Sequence, residues 1–285
     1  MGFIDNIKYK FNTGSIIEKL IYINVGIFAV TLLLTIAQGL FRGQPTFIVE
    51  WFALDDNLSE LFTKPWSLIS YGFLHSGFIH LLFNMIGLYF IGNLFIQYFT
   101  QKQALQFYLL GTLFGGFFYL FSQNYFPLFE GSSSRLVGAS AGVSAIFIGL
   151  ATYMPNYQIN VRLLGYIKLW HLAAVWLAFD LVGLIGPNAG GSFSHLGGSL
   201  FGFLFVNQAS NKKIDIFGSI FSIFKRKEKP LQTVYKAKTK SKNTTTTPTN
   251  NNQKKIDEIL DKISKSGYDT LTKAEKEFLF KQGKS

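Results

Sequence analysis

The sequence predicts an all-α polytopic membrane protein, a bundle of six transmembrane helices followed by a C-terminal cytoplasmic tail. Three observations carry this. First, 48% of the 285 residues are hydrophobic and 31 are Phe. Mean hydropathy stays positive, at +0.24, although the end of the chain is polar. Second, six apolar stretches stand out, at about 20–41, 79–98, 104–121, 139–154, 166–186 and 190–208. A helix crossing the hydrocarbon needs about 20 apolar residues. Third, charge is segregated: residues 211–285 hold 18 Lys/Arg against 8 Asp/Glu, whereas the first 210 hold 9 against 8. A basic tail on an apolar body predicts a cytoplasmic segment beside anionic lipid. Its basic stretch lacks interleaved aromatics and any recognisable nucleic-acid module, so no nucleic-acid partner is expected. Cysteine is absent, which excludes disulfides, thiolate metal sites and a cysteine nucleophile.

The elements follow in order. Residues 1–19 form an N-terminal segment with Lys8, Lys10 and Lys19. The first span is too long for the core of a cleaved signal peptide, and no small-residue cleavage site follows it. The loop 42–78 carries two basic and four acidic residues, and the loop 122–137 one of each. Lys102 follows the second span, Arg162 and Lys168 follow the fourth, and 187–189 is uncharged. The positive-inside rule puts both termini in the cytoplasm, as expected of a multi-pass protein of a bacterial inner (plasma) membrane. The fourth span is short, which suits a helix that begins inside the bundle. Beyond the 20–208 bundle, residues 209–229 read as a basic amphipathic juxtamembrane segment. Phe217, Ile220, Phe221 and Phe224 stand there at helical spacing before Lys225-Arg226-Lys227. Residues 230–255 read as a polar linker. Residues 256–285 read as a small helical hairpin: Ile256, Ile259, Leu260 and Ile263 form a stripe, Gly267 ends the first helix, and Thr272 with Glu275 form a capping box. So short a hairpin builds little core of its own and is expected to dock on something.

With the N-terminus inside, the second, fourth and sixth spans run from outside to inside. His80, Asn84, Ser140 and His195 all lie near the starts of these spans and share one shallow outer layer. Polar side chains in a bilayer are costly and usually face the bundle interior. Ser140 sits in Gly138-Ala139-Ser140-Ala141-Gly142, where a helix N-terminus would offer free N–H groups to a developing oxyanion. Taken alone, such a small-residue run is more often a packing surface. His195 is followed by Gly198 and Gly202, a GxxxG face that permits close approach to the fourth span and so to Ser140. A general base must come within about 2.6–3.2 Å of its nucleophile. His80 and Asn84 are four apart on one helical face, suited to donate to an oxyanion or to pin two helices. A metal site at His75 and His80 would have too few ligands, so no metal is expected. Asp180, within the fifth span, reads first as structural, paired with a backbone group or protonated; orienting His195 is the alternative.

Taken together, these motifs resemble the rhomboid family of intramembrane serine proteases over roughly residues 15–208. The matching pieces are Gly138-Ala139-Ser140, His195 with Gly198 and Gly202, the run His75-Ser76-Gly77-Phe78-Ile79-His80 with Asn84, and Lys64-Pro65-Trp66-Ser67. The resemblance implies a six-helix rhomboid bundle in which Ser140 is the nucleophile and His195 the base. It implies an oxyanion hole from His80, Asn84 and the Ser140 N–H, with His75, Gly138, Gly198 and Gly202 in support and Asp180 outside the dyad. It implies transmembrane protein substrates and no cofactor, with the first loop membrane-embedded and the fifth helix as the substrate gate. Two positions depart from the family pattern: Ala141 stands where Gly is usual, and Ser144 where many members carry an aromatic that packs on the histidine. The tail resembles those of rhomboids from the Bacteroidetes group. The main alternative is a proteolytically inactive rhomboid-like protein that binds membrane clients. A transporter would be expected to show internal repeats, and none is visible.

Overall fold

The computed structural model describes residues 2–41, 47–161, 165–210 and 250–282. They fall into two units, 1–227 and 228–285, each taken here by itself.

In the first unit, α1 (Phe3–Thr13) ends at Gly14 and is followed by α2 (Ile16–Phe41). Ser15 and Glu18 exchange hydrogen bonds across the start of α2, 2.7 Å from the Ser15 N–H and 3.2 Å from the Glu18 N–H. This satisfies N–H groups that the helix leaves without acceptors. Next come α3 (Phe47–Phe52), β1 (Leu54–Asp55), α4 (Leu58–Thr63) and α5 (Ser67–Ser70), which runs into a 3₁₀ turn over Tyr71–Phe73. Then α6 (Phe78–Tyr98) and α7 (Gln101–Tyr125) follow, the latter opened by a Thr100–Gln103 capping box. β2 (Arg135–Leu136) precedes α8 (Ser140–Tyr153). β3 (Gln158–Val161) and β4 (Gly165–Lys168) precede α9 (Leu169–Gly183) and α10 (Ala189–Ser210).

A helix lies at each of the six apolar stretches. Among the described residues, α2, α6 and α7 are long and apolar enough to cross a membrane, and α8 and α9 are shorter apolar helices. α2 starts four residues earlier than hydropathy suggests. The fold is also not purely helical. β3 pairs antiparallel with β4, Gln158 opposite Lys168 and Val161 opposite Gly165, so the predicted fifth span loses its first three residues to a strand. Gly165, at φ +76°, suits the turn side of that ribbon.

α8 is the centre of the bundle. Every residue from Ala141 to Ala151 is buried, against α6, α7, α9 and α10. Lipid tails are as apolar as a Phe side chain, so helices in a membrane associate through close packing and polar contacts rather than hydrophobic transfer. The sequence supplies both. Small residues line the α8 contacts: a Cβ built on Gly111 would meet the Ala145 methyl, and one on Gly202 would meet the Ala145 carbonyl. Polar pins tie the 3₁₀ turn to α7: the Tyr71 hydroxyl donates to the Thr112 carbonyl (2.6 Å) and the Tyr108 hydroxyl to the Gly72 carbonyl (2.8 Å). At the far end of α8 from Ser140, Phe95, Phe99, Phe107 and Tyr153 stack against one another, with centroids 4.4 Å apart for Phe95–Phe99 and 4.9 Å for Phe99–Tyr153.

In the second unit, α11 (Asn250–Ser266) leads through Gly267 (φ +85°) and a 3₁₀ turn to α12 (Lys273–Gln282). The first helix begins six residues before the stripe that predicts it, because the Asn250–Asn252 turn carries no apolar periodicity. Ile259 and Leu271 are buried, whereas Leu260 lies off the stripe and is exposed. The predicted 209–229 segment falls almost wholly outside the described residues, as does most of the 230–255 linker. The capping box at Thr272 forms. Glu275 accepts from the Thr272 N–H (2.7 Å) and hydroxyl (2.8 Å), and from Lys262 Nζ (2.9 Å). The Thr272 N–H, then Lys262, then the Thr272 hydroxyl hold the Glu275 carboxyl down to about 2. A depressed carboxyl stabilises the fold above its unfolded value, and that contribution fades as pH falls toward the folded value. Amide exchange across α11 and α12 is therefore expected to lose protection between about pH 4.5 and 2, and Glu275→Gln should already show the weaker protection at pH 7.

Candidate active site

The loop before α8 is fixed from three sides. β1 pairs with β2, Leu54 opposite Leu136 and Asp55 opposite Arg135, and the Arg135 guanidinium meets the Asp55 carboxylate at 3.1 Å. The Ser134 N–H donates to Asp56. The Gly138 N–H donates to the Tyr71 carbonyl at 3.0 Å, joining this loop to the turn that precedes α6. Gly138 takes φ +136°, a conformation other residues avoid, and a Cβ there would sit 2.8 Å from the His80 ring. His80 thus lies directly over the backbone leading into Ser140.

Ser140 is the first residue of α8, half-buried, with N–H groups of the first turn that have no acceptor within the helix. Its Oγ lies 2.7 Å from His195 Nε2. α10 brings the histidine there because Gly198, one turn on, presses against the Ala141 carbonyl. His80, partly buried, and Asn84, buried, lie four residues apart on the same face of α6. His80 Nδ1 is 3.0 Å from the Ser76 hydroxyl, so its Nε2 edge is turned to Gly138. Asn84 Nδ2 donates to the His80 carbonyl at 2.9 Å, which engages one of its two amide hydrogens and leaves the other. His75 is buried edge-on to His80, with centroids 5.2 Å apart. Burial, and His80 beside it, push its imidazole down to about 4, so it stands neutral at pH 7. Ser140, His195, His80, Asn84, His75, Gly138 and Gly198 are thus brought to one end of the bundle, while Gly202 holds the next turn of α10 against α8.

Two residues outside that set also reach His195. Asp180, for which a structural role and the orienting of His195 both stood open, has its Oδ1 2.7 Å from His195 Nδ1. Trp176 stands 6.4 Å from the imidazole, at 38° to it, and its Nε1–H donates to the Ser144 hydroxyl at 3.1 Å. Position 144 therefore serves an aromatic after all, by anchoring one that comes from α9. Trp176 and Asp180, four residues apart, share one face of α9. The methyl of Ala141 lies toward Gly115, where an added Cβ would meet it at 2.5 Å. Among the described residues no group of His, Asp and Glu could hold a metal ion.

A serine hydroxyl stands on an imidazole at the head of a helix buried in an apolar helical bundle, and three helices among the described residues are long and apolar enough to cross a membrane. The Rhomboid domain family model matches residues 63–211, more than half of the chain, and the protein belongs to the rhomboid family. A second model, for a family of unknown function (DUF6576), matches residues 248–283, the helical hairpin. Among curated proteins, the rhomboid protease GlpG of Yersinia pseudotuberculosis is 25% identical over 166 residues, 55% of this chain and 52% of that protein. The mitochondrial RHOMBOID-like protein 12 of Arabidopsis thaliana is 30% identical over 144 residues, 47% of this chain and 43% of that protein. The mitochondrial presenilin-associated rhomboid-like protein A of Danio rerio is 26% identical over 163 residues, 56% of this chain and 41% of that protein. The chain spans about half the length of these relatives, or less.

Proposed function

We propose that this chain is an intramembrane serine endopeptidase that cuts transmembrane segments of other membrane proteins through Ser140 and His195. The observation that carries this reading is the 2.7 Å contact between Ser140 Oγ and His195 Nε2. In it, the six helices α2 and α6–α10 cross a bacterial inner membrane, both termini are cytoplasmic, and the basic tail lies against anionic lipid. The domain limits 1–19, 20–208, 209–229, 230–255 and 256–285 are part of the same reading.

His195 Nε2 takes the Ser140 proton as Oγ bonds to the scissile carbonyl carbon. The charge that develops on the carbonyl oxygen is met by His80, Asn84 and the Ser140 N–H. The tetrahedral species collapses, the C–N bond breaks, and the imidazolium gives its proton to the departing amine. Water then attacks the acyl ester with His195 again as base, which frees Ser140. Neither a metal nor a cofactor takes part. Substrates carry helix-destabilising residues at the cut, because a peptide bond inside a regular helix is shielded. The client-binding alternative drew on Ala141 and Ser144. The Ala141 methyl faces Gly115, and Ser144 holds Trp176 beside His195, so neither residue favours it.

A fluorophosphonate probe tests the reading on purified protein in detergent. Wild type should be modified at Ser140, found by peptide mass, and Ser140→Ala should stay unmodified. Folded wild type that does not react would overturn the assignment.

A further inference from the structure

α9 sets a carboxylate against the candidate base. Asp180 is buried, and its Oδ1 meets His195 Nδ1 at 2.7 Å. Its Oδ2 is also buried and has no hydrogen-bond partner among the described residues. A carboxylate that served only to pin α9 would be expected to have both oxygens met by backbone or hydroxyl donors, since a buried unpaired acceptor costs roughly 1–3 kcal/mol. Here the imidazole is the only hydrogen-bonding group that Asp180 meets among the described residues. One turn earlier on the same face, Trp176 flanks the same ring and is itself tied to Ser144 of α8. Two successive turns of α9 thus face His195, Asp180 bonded to Nδ1 and the Trp176 indole with its centroid 6.4 Å from that of the ring.

We propose that Asp180 is the positioning residue for His195, completing a Ser140–His195–Asp180 chain that exists only with α9 seated. The proposal rests on the protease reading of Ser140 and His195. A carboxylate accepts and does not donate, so it keeps the imidazole proton on Nδ1 and leaves the Nε2 lone pair facing the Ser140 hydroxyl. When His195 takes the serine proton, the carboxylate stabilises the imidazolium and does not itself take a proton. α9 holds this arrangement lightly: its buried residues are Leu169, Ala173 and Asp180.

Asparagine is the sharpest probe. Its amide can turn an N–H toward Nδ1, which favours the other tautomer and points Nε2–H at Ser140. The full chain in proteoliposomes is assayed for kcat and KM on a transmembrane-segment substrate. The rate and end point of fluorophosphonate labelling are followed in parallel for wild type, Asp180→Asn, Asp180→Ala and Asp180→Glu. Asp180→Asn should lower kcat on the order of 10²–10⁴-fold with KM held within about twofold. Labelling should be slow but reach the full end point, and Asp180→Glu should recover part of the rate. Should Asp180→Asn not fold, Asp180→Ala carries the same readouts. Unchanged kcat in the folded variants overturns the proposal. So does a loss matched by an equal loss of labelling end point and shared by Asp180→Glu, since that is a folding defect. Folded wild type that never labels overturns the protease reading, and this proposal with it.

Discussion

His195→Ala is expected to slow fluorophosphonate labelling of Ser140 by about 10²–10⁴-fold, the usual contribution of a general base, while the protein stays folded. The reason is local. His195 Nε2 is the acceptor within 2.7 Å of the hydroxyl, and removing the imidazole leaves Ser140 an ordinary alcohol. His195 is only part-buried, so truncation empties space at the mouth of the bundle rather than in the α8 core. The thermal midpoint in detergent should nonetheless fall, because Asp180, buried and bonded to this ring alone among the described residues, is left without a partner. A labelling rate equal to wild type would mean that the hydroxyl is not activated by this ring.

Gly198→Val is expected to remove the site and much of the stability together. A Cβ at residue 198 would collide with the Ala141 carbonyl and lie 3.0 Å from the Ala141 Cα. These are backbone atoms of the most buried helix, so neither partner can turn aside. α10 must shift off α8, and His195, one turn away, shifts with it. Overpacking of this kind costs about 1–3 kcal/mol or more. The midpoint should fall and the labelled fraction should fall with it. Gly39→Ala is the matched control. No atom outside its own stretch of helix lies within 4 Å of the added methyl, so stability should hold or rise by up to about 1 kcal/mol.

Much of this arrangement was legible in the sequence, and the parts that were not have physical reasons. The six helices could be read because long apolar runs have few other folds open to them. Gly198 and Gly202 pointed to an intimate contact because a membrane helix gains little from exposing glycine to lipid. The β3–β4 ribbon was hidden because Tyr166 and Ile167 extend the apolar run of α9 across a single charged residue, Lys168. Asp180 and His195 lie 15 residues apart across the helix break at 184–188, so no helical phase connects them, and only the packing of α9 on α10 brings them together. Trp176 was invisible for a different reason. On a helix as apolar as α9, an indole that faces the site and one that faces lipid look the same in sequence.

The shortness of α8 has a geometric consequence. Its 14 residues rise about 21 Å, against about 30 Å for a typical hydrocarbon layer. A helix that ends flush with one boundary of that layer stops about 9 Å below the other. In the proposed reading, with α8 flush with the cytoplasmic boundary, Ser140, its first residue, stands at the floor of a well rather than at the rim. Extended polypeptide covers about 3.3 Å per residue, so roughly three residues are needed to let a peptide bond down to that floor. On the protease reading, a guest helix would have to surrender about one turn before a bond reached Ser140, so the ease of unwinding that turn, more than the identity of the side chain at the bond, would sort the guests.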